Sequence, residues 1–88
     1  DPRSLTAQRE GRRIPLTRLQ GALLQALLRE APRIVSHAAL IESAWRGGAD
    51  VAALQTQVYE LRNAIDKPFA RPLLHAVRGV GYRLAELE

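Results

Sequence analysis

Eighty-eight residues suffice for one small domain with a single modest core and exclude a second domain. With 47% hydrophobic and 25% charged residues the chain has a folded globule's composition; no apolar run nears the ~18 residues of a membrane span, and the lack of cysteine removes disulfides and thiolate metal sites. The formal net charge of +4, carried almost wholly by arginine, suits a polyanionic partner but does not by itself require one. The missing cysteine also fits a reducing cytoplasm. Having no methionine, the chain lacks an initiator and is expected to be a domain of a longer protein that begins further upstream.

Residues 1–16 read DPRSLTAQREGRRIPL, two short segments around the turn-prone pair Glu10-Gly11. The pattern predicts a hairpin with strands near residues 3–7 and 12–16. Such a hairpin is marginal alone and has to pair with further strands or lie on a helix. Arg9, Arg12 and Arg13 read as solvated turn charge.

Thr17 with Gln20 three residues on is a capping box, so a first helix is expected from there to about Glu30, where Pro32 forbids continuation. Leu19, Leu23, Ala26 and Leu27 form its inner stripe, widened by Leu24 and Leu28, and mark it as the central core helix. Gly21 suggests close packing against a neighbour or simple tolerance. After an extended link at residues 33–35, Ser36 caps a second helix, residues 37–45. Its inward side is Ala39, Leu40 and Ala44 with Ile41 and Trp45, the tryptophan plugging the bottom of the core. Arg46-Gly47-Gly48-Ala49 is a tight connection, and Asp50 caps a third helix.

That third helix, ending near Ile65, buries Val51, Leu54, Val58, Leu61 and Ile65 at steps of three and four. Its other side carries Ala52, Thr56, Tyr59 and Asn63, flanked by Gln55, Gln57, Glu60 and Arg62. Such a face is either an ordinary solvated one or a surface of donors and acceptors suited to base edges and phosphates. Two helices joined by a short glycine turn form a helix-turn-helix, a common and moderately specific shape. Asp66-Lys67-Pro68 ends the helix, and Pro72 keeps the next loop irregular. Residues 73–85 then read as a strand pair reversing at Arg78-Gly79-Val80-Gly81, with both glycines taken to supply positive φ. Gly79-Val80-Gly81 lacks the third glycine and the following helix of a nucleotide fingerprint. His37 and His75 sit in different elements without a carboxylate cluster, and no Ser/His/Asp set occurs. Neither an enzyme, a metal nor a cofactor is therefore expected.

The helix opening at Leu16-Thr17, Val35-Ser36 ahead of a helix ending in Trp45, Leu61-Arg62, and above all VRGVGYRL at residues 77–84 resemble the C-terminal effector domain of OmpR/PhoB-type response regulators. The resemblance covers nearly the whole chain. It implies an α+β winged helix-turn-helix: N-terminal antiparallel strands (residues 1–16), three helices (17–65) and a C-terminal hairpin wing (73–85). It further implies double-stranded DNA as partner, with the third helix in the major groove and the wing on the adjacent minor groove or backbone. By position, Gln55, Thr56, Tyr59, Glu60 and Asn63 would face bases or phosphates, and Arg78 would reach DNA from the wing turn. Arg62 matches the arginine of the family's Leu-Arg pair, a structural or phosphate-facing position, and Tyr82 would pack the wing on the body. An upstream receiver domain phosphorylated on aspartate, a homodimer on DNA and an RNA polymerase contact through the Arg46-Asp50 loop are also implied. That loop is a little shorter than usual. Where relatives often carry an acidic residue, a histidine and paired basic residues, this chain has Gln55, Gln57, Tyr59 and Glu60. A degenerate winged helix serving as a protein-interaction or dimerisation module therefore stands as the alternative.

Overall fold

The computed structural model describes residues 6–86, so the predicted first-strand residues 3–5 lie outside it. Strands β1 (Thr6–Arg9) and β2 (Arg12–Pro15) form the expected hairpin. Its first strand runs two residues beyond the expected end at Ala7. The physical reason is the turn: Glu10 (φ 51°) and Gly11 (φ 78°) are both left-handed, which makes a two-residue loop and leaves Arg9 opposite Arg12 as the last pair. Helix α1 (Arg18–Glu30) starts on the complete Thr17–Gln20 capping box and stops where Ala31, ahead of Pro32, turns extended.

Helices α2 (His37–Trp45) and α3 (Val51–Ile65) are capped by Ser36 and Asp50, whose side chains accept from the N–H groups of Ala39 and Ala53. Between them Arg46 (φ 56°) and Gly47 (φ 84°) make the left-handed reversal. Strands β4 (Leu74–Val77) and β5 (Gly81–Leu84) are the hairpin expected at the C-terminal end. The link before α2 contains a strand the periodicity does not show, β3 (Val35–Ser36), which pairs antiparallel with β5 to give the order β3-β5-β4. Two residues are too few for an alternation to register.

The fully buried Leu23 and Leu27 of α1, Leu40 of α2, Leu54 and Leu61 of α3 and Leu74 of β4 form the centre of the core. At about 1.5–3 kcal/mol for each buried aliphatic side chain, these six bind the helices to one another and to the base of the hairpin. Three expected core positions lie on the surface, and Leu19, Leu24, Ile41 and Trp45 are only partly buried against the core. Leu28 and Val51 are exposed in the last turn of α1 and the first turn of α3, and Ala39 is exposed in the first turn of α2. Trp45 is half-buried and packs on the core from its edge instead of plugging it.

Candidate nucleic-acid interface

Leu54, Val58, Leu61 and Ile65 hold α3 on the body, and their spacing leaves the opposite flank outward. Ala52, Gln55, Thr56, Tyr59 and Glu60 are all exposed there, Tyr59 to 62%, while Asn63 is half-buried; Val51, which opens the apolar stripe, is 40% exposed. The Thr56 hydroxyl donates to the Ala52 carbonyl within the helix (3.1 Å). Its one proton is thus committed, leaving lone pairs and a methyl for an outside partner. Arg62 is half-buried, and its Nε donates to the Leu74 carbonyl (3.2 Å), bracing α3 against β4. This is the structural role allowed for that arginine, and it separates Arg62 from the other six candidate residues. Along the exposed flank the charge is a single carboxylate, Glu60.

The hairpin tip follows from one turn. Val80 N–H donates to the Val77 carbonyl (3.0 Å), and Gly79 at the third position takes φ 76°, open to glycine at no steric cost. Arg78 and Val80 stand exposed on this tip. Gly81 differs from the expectation. It has no positive φ; a Cβ there would lie 1.9 Å from the Val35 carbonyl oxygen, so glycine is required by the close pass of β3 across β5. The tip is tied to the helices as well: His37 N–H donates to the Val80 carbonyl (3.1 Å), and the His37 and Tyr82 rings meet edge to face at 5.8 Å. Tyr82 thus packs the wing on the body, as the resemblance implies.

One cluster escaped the reading of the sequence. Arg9, read as solvated turn charge, has a side chain only 12% exposed and pairs with Asp66 at 2.7 Å. It also donates to the carbonyls of Ile65 and Arg71 and lies 4.5 Å from the centre of the Phe69 ring. Asp66, 7% exposed, accepts in addition from Leu73 N–H (3.0 Å) and Leu74 N–H (2.9 Å). The signal available was weak: an arginine and an aspartate 57 positions apart, each in a context that explains it locally. Arg12 stacks at 5.5 Å on the same ring, while Arg13 is exposed as expected. Among the described residues no group of three His, Cys, Asp or Glu side chains could hold a metal ion, and no helix is long and apolar enough to cross a membrane.

Three helices with a glycine-turned second connection, and a hairpin fixed to them through β3, make a winged helix. The family model described as "Transcriptional regulatory protein, C terminal" matches residues 11–84. The chain belongs to this family. The OmpR/PhoB-type resemblance carried by VRGVGYRL holds, and the family's fold is a non-enzymatic one. Response regulator MprA of Mycobacterium ulcerans is 37% identical over 90 residues, covering 98% of this chain; the chain spans only 38% of that relative's length. The C-terminal domain of the nisin resistance regulator NsrR superposes with a TM-score of 0.82 at 27% identity, over 98% of this chain and 90% of that one. The DNA-binding domain of response regulator AdeR, solved in complex with an intercistronic region, reaches 0.85 at 20% identity over 99% and 92% of the two chains, a likeness of fold.

Proposed function

We propose that this domain binds double-stranded DNA sequence-specifically as the effector part of a two-component response regulator. Helix α3 lies in the major groove, and the Arg78 turn sits on the adjacent minor groove or backbone. The observation that supports this most is the outer flank of α3: Gln55, Thr56, Tyr59 and Glu60 project without cover from the domain itself, on a helix whose other side is locked in the core. Asn63 continues this row, half-covered, and Arg62 contributes by fixing the helix to β4. That AdeR was solved with an intercistronic region agrees with this use of the shared fold. A receiver domain lies upstream in the same chain, pairs of domains bind repeated half-sites, and the Arg46-Asp50 loop is the surface offered to RNA polymerase; that this chain spans only 38% of response regulator MprA agrees with a further domain. Such a regulator works in the cytoplasm, on the nucleoid when bound.

One observation favours a second reading. A reading flank whose sole charge is Glu60 offers phosphates little, which fits a winged helix turned to protein partners. Binding of a random-sequence duplex measured against salt separates the two. DNA binding gives a log-log slope of about 0.9 per phosphate neutralised, whereas a slope near zero fits the protein-interaction module.

A further inference from the structure

We infer that the α3 flank selects A·T base pairs, and that Val51, Ala52 and Gln55 determine this specificity. The inference rests on the DNA-binding reading above and adds which bases are read. A guanine presents two acceptors, N7 and O6, to the major groove, and its matching partner is the paired donors of arginine or lysine. The flank holds neither: Arg62 is half-buried and bonded to Leu74, and Val51, Ala52, Gln55, Thr56, Tyr59 and Glu60 include no cation. Glu60, an acceptor only, repels the same guanine edge.

Adenine shows an acceptor beside a donor, and an amide side chain matches both. Gln55 is such a side chain, exposed in the second turn of α3. Thymine adds a methyl group, which is read by apolar contact. Val51, 40% exposed although aliphatic, and the exposed Ala52 stand one helical turn before Gln55, and the exposed Thr56, its hydroxyl proton held by the Ala52 carbonyl, adds a methyl beside them. Glu60 suits one cytosine N4 amino group and allows a single C·G pair at the edge of the site.

Selection of duplexes from a random pool by the 88-residue chain, followed by affinity measurements on single-pair replacements, tests this. The enriched sequences are expected to share an A·T-rich core, and replacing one A·T pair at the Gln55 position by G·C to weaken binding about tenfold. Gln55→Ala is expected to erase that tenfold difference while melting as the parent does, and Gln55→Arg to reverse it in favour of G·C. A G·C core, or full discrimination retained in Gln55→Ala, overturns the A·T assignment and leaves DNA binding intact. No enrichment together with salt-independent, weak binding overturns the DNA-binding reading itself.

Discussion

The C-terminal cap of α3 and its outer flank treat charge in opposite ways. At its C-terminal end Asp66 is buried among an arginine and two backbone N–H donors, every one of its contacts supplied by the chain itself. Along its outer flank the side chains are polar, exposed and almost uncharged, with Thr56 even turning its proton inward. A buried ion pair stands where the hairpin, α3 and β4 meet, whereas charge is thin along the flank proposed to read a duplex. The physical lesson is that a buried ion pair fixes geometry because each partner is ruinous to leave alone, whereas a reading surface works through groups that are content in water until a match arrives.

Substitutions at the joint break the comparison from the packed side and carry the largest effects. Asp66→Ala leaves the Arg9 guanidinium without its carboxylate and the Leu73 and Leu74 N–H groups without their acceptor, and should cost about 3–5 kcal/mol in a urea titration. Stability within 1 kcal/mol of the parent would show the joint to be ornamental. Gly81→Ala drives a Cβ into the Val35 carbonyl and should cost about 3 kcal/mol, lowering the melting temperature by roughly 10 °C or more.

On the flank and wing proposed to meet DNA, effects should appear in binding with little change in melting. Arg78→Ala is expected to weaken binding to all duplexes and to lower the salt slope by about one; an unchanged affinity at low salt would remove the wing from the interface. Glu60→Arg exchanges the one carboxylate of the flank for a cation, and should tighten binding to any duplex several-fold with a slope steeper by about 0.9. Unchanged or weaker binding on all sequences would take this helix out of the groove. Its unfolding free energy should stay within about 0.5 kcal/mol of the parent, as expected of an exposed helix site.

Much of this arrangement was legible from local patterns. The capping box at Thr17, the caps Ser36 and Asp50, and the spacing of Leu54, Val58, Leu61 and Ile65 each act within one or two helical turns, so composition and period reveal them. VRGVGYRL gave the hairpin and the family because a tight turn constrains several neighbouring residues at once. The exposure of Thr56 and Tyr59 followed from the same period, though the bracing of Arg62 on Leu74 did not.

What only tertiary structure decided are the meetings between distant segments. Arg9 finds Asp66 across 57 positions, Val35 crosses Gly81 so closely that only a hydrogen fits, and Val51 is left 40% exposed at the first position of α3. The sequence by itself determined which elements form and which side of α3 is apolar, since those depend on backbone periodicity and near-neighbour hydrogen bonds. Partnerships of charge and close passes of backbone depend on how whole elements stack, and no pattern within one element records that.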